Sequence, residues 1–348
     1  MKTTMTSAER LGMAMSHQEA DRVPFLLPTV LQGARELGLS IQAYFSRAEH
    51  VVEGQIRLRA KYHNDALLGF MYGAQEAEAF GAETLFREDG PPNAGAPPLR
   101  MESIPSLEPP RVEDCPALVR VLHIIELLAK RAGGTVPVMA SVVSPFSLPV
   151  MQLGFESYLN LLYDRPDLAD RLLEVNEEFC VAWANAQLAA GAGAIAYADP
   201  VSSPSISPRP LYLRFGYPAA CRTLSRIKGA VATSLASGRG LAIVDDLAST
   251  GTVGVSASVH EDLALMKAAC RGRLTVMGNL NAIEMRRWSQ ADAIANVRDA
   301  IEMGAPGGGF VLTDNHGEIP WQVPDDVLLA ISEAALEYGR YPIRRRGE

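Results

Sequence analysis

Apolar positions along this 348-residue chain fall into two kinds of stretch. Short unbroken apolar runs alternate with longer segments whose apolar residues recur at helical spacing. The runs lie at 22–27 (RVPFLL), 65–71 (DALLGFM), 136–143 (VPVMASVV), 193–199 (GAIAYAD), 229–235 (GAVATSL), 253–258 (VGVSAS), 274–279 (LTVMGN) and 308–314 (GGFVLTD). Most are continuous rather than alternating, which suits strands covered on both faces, as in parallel sheets. Between them, 157–192 places Leu161, Leu162, Leu168, Leu172, Leu173 and Val175 among charged residues. The segments 260–272 and 292–304 are amphipathic and end in glycine, a common helix stop.

Eight strands, each followed by a helix, predict an α/β fold of the (β/α)8 TIM-barrel type. The chain reads as one domain, 1–348, with a helical extension at about 1–20. Residues 87–116 are rich in Pro and Gly and read as a surface excursion, because the strand–helix rhythm resumes after them.

In such a barrel, chemistry gathers at the carboxyl ends of the strands. Those ends carry Tyr72 with Gln75, Ser141 and Ser144, Asp199 with Ser202 and Ser203, Ser234, Ser258, Asn279, and Asp314-Asn315-His316. His316 is the leading catalytic candidate, since a side chain titrating near neutrality suits acid–base work. The plainer alternative is a histidine that caps the last strand. Asp199, before Pro200, is the second catalytic candidate; an Asp-Pro turn carboxylate is the competing explanation. Tyr72, Ser144, Ser234, Asn279 and Asp314 are candidate substrate-binding residues, each with a packing or turn role as the alternative. In an extended backbone Asp314, His316 and Glu318 would share one face and could hold a divalent metal, but Gly317 and Pro320 oppose that conformation. No metal is therefore assigned. Gly307-Gly308-Gly309 precedes a strand and so is no phosphate loop. The stretch 236–242 (ASGRGLA) could offer amides and Arg239 to an anion. His17, His50, His63, His123 and His260 read as solvated or capping.

The net charge of −8 argues against a nucleic-acid partner, which needs a basic face. Arg344-Arg345-Arg346 reads as a solvated tail. Cys115, Cys180, Cys221 and Cys270 form no C-x-x-C pair and read as reduced and structural. No apolar run approaches the roughly 20 residues that cross a bilayer, and the N-terminus lacks the apolar core of a secretion signal. A cytoplasmic protein without a membrane partner is expected.

Six segments also carry a family likeness: ADRVPFLL, AEAFGAE (77–83), SPFSLPVMQLG (144–154), ADPVSSPSISP (198–208), VMGNLNA (276–282) and HGEIP. Together they resemble, in the same order, the uroporphyrinogen decarboxylase superfamily, over about residues 8–340. The resemblance implies a (β/α)8 barrel and one of two activities. One is removal of acetate carboxyls from a tetrapyrrole without a cofactor. The other is methyl transfer from a methyl-corrinoid protein to an acceptor such as coenzyme M.

The decarboxylase signature is matched only in part. Its early Arg-rich segment corresponds to PTVLQGARELG, which has Arg35 alone and out of register. Its essential Asp falls on Tyr72 and its active-site Tyr on Met151; the late His is matched by His316. The zinc set of the methyltransferases, H-x-C and a later Cys, falls on Ser234, Ala236 and Gly317, or on Leu235 and Ser237 if shifted by one residue. Zinc is therefore not expected, although VPFLLP, AEAFGAE and ISPRPLYLRFGYP look closer to the methyltransferase branch. The preferred expectation is a methyltransferase that takes a one-carbon unit from a corrinoid or small donor. Its acceptor would need no thiolate, for instance a pterin nitrogen, and no cofactor would be tightly bound. A corrinoid protein and a second copy of the chain are candidate partners. The alternatives are a cofactor-independent decarboxylase using His316 and Asn279, and a non-catalytic binding subunit.

Overall fold

The computed structural model describes residues 5–343. The triple-arginine end and the first four residues of the expected N-terminal extension lie outside them.

Seven strands form one parallel sheet in chain order: β1 (Leu67–Leu68), β2 (Val138–Val143), β3 (Ala194–Ala198), β4 (Val231–Ser234), β5 (Gly254–Ser256), β6 (Thr275–Leu280) and β7 (Phe310–Asp314). Each pairs with the next, with Ala198 opposite Ser234 and Asn279 opposite Thr313. Helices fill most of the connections. The expected helical stretch 157–192 is two helices, Phe155–Asp164 and Pro166–Ala189. Pro166 causes the break: it cannot donate a backbone hydrogen bond to the preceding turn, but it opens a new helix well. The N-terminal helix, Ser7–Met15, starts at a capping box formed by Thr6 and Glu9. The Pro/Gly-rich excursion holds one strand of a two-residue hairpin, Asn93–Ala94 on Thr84–Leu85, and two short 3-10 turns.

Side chains of a strand alternate between the two faces of the sheet, and burial divides them accordingly. In β2, Val138, Ala140 and Val142 are buried, whereas Met139, Ser141 and Val143 are partly exposed. In β3, Ile195 and Tyr197 are buried and Ala194, Ala196 and Ala198 are partly exposed. The buried set belongs to one core with Val121, Ile125, Phe179 and Trp183 of the covering helices. Each large apolar side chain so buried contributes roughly 1.5–3 kcal/mol. The other set lies on the inner face of the sheet, and small residues dominate it.

The expected first strand, 22–27, is not a strand of this sheet, yet it bonds to both edges. On one side Leu26 N donates to Leu312 O and Leu312 N to Pro24 O, in a parallel bridge of Phe25 with Leu312. On the other, Asp65 N donates to Phe25 O. The amides of Phe25 and Leu27 go instead to side chains, Asp65 Oδ2 and Asn64 Oδ1, each at 2.9 Å. Carboxylate and amide oxygens thus replace the main-chain carbonyls that a ladder requires. For the same reason β1 is shorter than the predicted 65–71.

The four cysteines are free thiols, and all but Cys221 are buried. Among the described residues no helix is long and apolar enough to cross a membrane.

Candidate active site

The loops at the carboxyl end of the sheet are joined by a short chain of hydrogen bonds. His316, two residues past β7, places Nδ1 3.1 Å from Ser237 Oγ, in the loop after β4. Ser237 O accepts from Ser258 Oγ, past β5, at 2.9 Å. Ser258 O in turn accepts from Asn279 Nδ2, in β6, at 3.3 Å. Four strand ends are thereby tied together with His316 exposed at one end of the chain.

Local backbone geometry aims these groups. Asp314 Oδ2 accepts the amides of His316 and Gly317, both at 2.7 Å. This turns the chain sharply at Gly317, whose φ of 98° favours glycine. Asp314 is buried, and burial raises its carboxyl above the usual range despite those two bonds. The loop after β4 holds Ala236 at φ 49°, and Gly238 packs so closely on Ser203 that a Cβ would come within 2.5 Å of its hydroxyl. Ser203 also bonds Arg239 O. Ser237 is thus presented to His316 by a loop with little freedom.

Glu318 lies on the same loop as His316. Burial, and next the nearby Asp314 carboxylate, push its carboxyl up to about 7. It has no hydrogen-bond partner among the described residues. A carboxyl raised towards neutrality on the loop that carries an exposed histidine makes this loop a candidate for proton handling.

The predicted site residues divide by strand parity. Ser234 and Asn279 lie on the inner face and are partly exposed; Ser234 Oγ also accepts from Ala236 N at 3.3 Å. Asp314 supports His316 from behind. The other three stand apart. Asp199 follows the parity of Ile195 and Tyr197, towards the helices, and is 1% exposed. It accepts the hydroxyls of Ser144 (2.6 Å), Ser147 (2.8 Å) and Ser202 (2.5 Å). Burial raises its carboxyl, opposed by those three bonds. Asp199 and Ser144 therefore form a buried knot at the strand ends. Tyr72 is buried too. It donates to Glu78 at 2.8 Å and meets Phe45 and Phe86 edge-on.

Two alternatives left open by the sequence are not realised. Asp314, His316 and Glu318 do not share an extended face, because Asp314 is turned onto the following amides. Among the described residues no three His, Cys, Asp or Glu side chains are grouped to hold a metal. The amides of Gly240 and Leu241 are not open to an anion: Glu261 already accepts from them at 2.8 and 2.9 Å.

Sequence reasoning missed Glu76 altogether, noted Gln75 only as a strand-end polar residue, considered Glu318 only as a metal ligand, and met Ser237 only as a replaced zinc position. Gln75 is fully buried past β1, and neither polar atom of its side chain finds a partner among the described residues. Its neighbour Glu76 accepts Val143 N at 2.9 Å, and burial pushes its carboxyl up to about 8. The Trp183 indole N–H faces the same carboxyl but falls short of hydrogen-bonding geometry. Buried polar residues next to a strand end were the only signal available for this pair.

The residues at the positions of the family's zinc set do not fit zinc. Ser234, Ala236 and Gly317, or Leu235 and Ser237 in the shifted register, supply neither thiolate nor imidazole. In this region the contact is the Ser237–His316 hydrogen bond. Nor does any inner-face position of the seven strands carry a titratable side chain; they hold Ala, Ser, Gly, Met, Leu, Val, Thr and Asn. Arg35 is engaged elsewhere, donating to the carbonyls of Val323 and Trp321 and lying over the Trp321 ring.

A parallel α/β sheet with its polar groups at the strand ends defines the architectural class. The model of the uroporphyrinogen decarboxylase (URO-D) family matches residues 6–338, and the chain belongs to that family. Methylcobamide:CoM methyltransferase MtaA of Methanosarcina barkeri is 29% identical over 198 residues, covering 55% of this chain. That alignment covers 58% of the relative, so the chain spans little more than half of its length. Uroporphyrinogen decarboxylase of Ralstonia pickettii is 26% identical over 291 residues, 78% of each chain. Among solved structures, a methyltransferase from Methanosarcina mazei superposes with a TM-score of 0.82 at 20% identity, over 96% of this chain and 99% of the other. That likeness concerns the fold.

Proposed function

We propose that the protein is a methyltransferase of the URO-D family that works without a zinc-thiolate and takes its methyl group from a corrinoid, free or protein-bound. The observation that carries this reading is the Ser237–His316 contact in the region where the resemblance would put zinc. With the metal-binding positions replaced, a thiol acceptor loses the thiolate stabilisation that zinc gives; a neutral ring nitrogen already carries the lone pair that attacks and needs only a base to take its proton. His316 is such a base, steadied by Ser237, and Glu318 is the second proton-handling group. The acceptor nitrogen forms the new bond to the methyl carbon, the electron pair of the broken bond stays with the donor, and the nitrogen's proton passes to His316. Asn279 and Ser234 orient the acceptor on the inner face.

The absence of charge on that face supports an uncharged or weakly charged acceptor. It also disfavours the decarboxylase reading, since a polycarboxylate substrate requires cations to bind it. In the same proposal the chain is one domain, and the segment 24–27 completes an eight-membered barrel. Its bonds to β7 and to Asn64 and Asp65 support that closure.

The test is to incubate the protein with methylcobalamin and a panel of amine, pterin and thiol acceptors, following the corrinoid spectrum. Demethylation with a nitrogen acceptor, insensitive to zinc chelators, is expected. No spectral change with any acceptor, or carbon dioxide release from a carboxylated compound without corrinoid, would overturn the reading.

A further inference from the structure

The opposite, amino-terminal end of the sheet holds a cavity of about 390 Å³ in which the charges do not balance. Its charged lining is Arg10, Arg22 and Arg59 against the single carboxylate Asp65, with His63 and Thr135 beside them. Asp65 is fully engaged. Oδ1 accepts Arg10 Nη1 at 2.6 Å, Arg22 Nη2 at 3.0 Å and Ser7 Oγ at 2.9 Å. Oδ2 accepts Arg22 Nη1 at 2.7 Å and Phe25 N at 2.9 Å. Asp21 takes the other edge of Arg10. Among the described residues no acceptor remains for Arg59.

Arg59 indeed bonds to nothing among the described residues, and its Nε is buried without a partner. That Nε is closed off inside the fold, so an anion in the recess meets the two Nη groups, which also have no partner among the described residues. A guanidinium presents a planar fork that matches phosphate or carboxylate. In a chain of net charge −8, a recess with surplus positive charge also concentrates anions locally.

We infer that this recess binds a small oxyanion, a phosphate or phosphate monoester, with Arg59 as the principal ligand. The Arg10–Asp65–Arg22 cluster forms its positively biased wall, and His63 lies at its exposed edge. The site is remote from His316 and does not depend on the activity proposed there. Asp65 connects the recess to the fold, because the same carboxylate holds the amide of Phe25 in the segment 24–27. An anion that stiffens this cluster therefore stabilises the junction between β7 and β1.

The test is calorimetric titration of the full chain with inorganic phosphate and, separately, glycerol phosphate, at constant ionic strength set with sodium chloride. Thermal unfolding is run in parallel. Saturable binding and a rise in unfolding temperature are expected in the wild type, with affinity reduced about tenfold or more in Arg59→Gln and by less in Arg59→Lys, which keeps the charge but not the fork. Tighter binding of glycerol phosphate identifies a phosphate ester as the ligand; equal binding identifies the free anion. The inference fails if the wild type shows no saturable phosphate heat, if chloride gives the same stabilisation, or if Arg59→Gln binds as well as the wild type. The wild-type titration decides the matter even if a variant does not fold.

Discussion

Ser237 Oγ and His316 Nδ1 lie 3.1 Å apart, although 79 residues separate them in the chain. The bond joins the loop after β4 to the loop after β7. It holds the imidazole in one place at the carboxyl end of the sheet, supported from behind by the Asp314 turn.

If that contact positions a working base, replacing His316 and Ser237 will have unequal effects. His316→Gln should lower kcat by about 10²–10⁴, the usual range for losing a general base. Ser237→Ala should lower it only severalfold. The double variant should be no slower than His316→Gln alone, because the serine acts through the histidine. His316 is exposed and Ser237 half-buried, so unfolding temperatures should change little. A Ser237→Ala effect that persists at full size in the His316→Gln background would show that the two residues act independently.

Asp199 should behave in the opposite way. Three serine hydroxyls donate to it in a buried site, and Asp199→Ala would leave them without their acceptor. A loss of about 2–4 kcal/mol in chemical unfolding is expected, with activity per folded molecule largely kept. A fall in kcat of a hundredfold with unchanged stability would show Asp199 to be a catalytic residue.

Much of this fold is legible in the sequence. The runs 136–143 and 308–314 anticipate β2 and β7 within two residues at each end, since buried parallel strands are written as plain apolar runs. Less legible is which strand-end residues face a ligand. In GAIAYAD the small–large alternation of Ala194, Ile195, Ala196, Tyr197 and Ala198 marks the helix-facing parity, and Asp199 continues it outward. Treating the run as uniformly apolar hid that distinction. The segment 22–27 reads as a strand because its composition is right; its pairing with side chains of Asn64 and Asp65 is a tertiary fact that no local pattern encodes. The same holds for the Ser237–His316 contact.

The parity argument makes its own prediction. Ile195→Ala, on the helix-facing side, should cost about 2–5 kcal/mol through lost burial and a residual cavity. Ala198→Val, on the partly exposed inner face, should change stability by about 1 kcal/mol or less while raising KM for the acceptor. Urea unfolding and steady-state kinetics distinguish the two. Equal destabilisation by both would mean that the inner face is packed solid.

Glu76 should impose a pH dependence on stability. Its carboxyl is raised from the ordinary 4.5 to about 8 by burial, so the folded state favours the protonated form. Its contribution is complete below about pH 4.5, declines as pH rises to about 8, and is constant above that. Glu76→Gln should remove this slope. Relative to wild type, the variant should gain a few kcal/mol between about pH 5 and about pH 9 in urea unfolding. Parallel stability–pH curves for the two proteins would contradict the assignment.

The central claim is methyl transfer from a corrinoid without zinc, and the corrinoid spectrum reads it directly. Metal-free protein mixed with methylcobalamin and a nitrogen acceptor should demethylate the corrinoid in the wild type and far more slowly in His316→Gln. If the methylcobalamin spectrum stays unchanged with every acceptor, or changes only after zinc is added, the account is wrong.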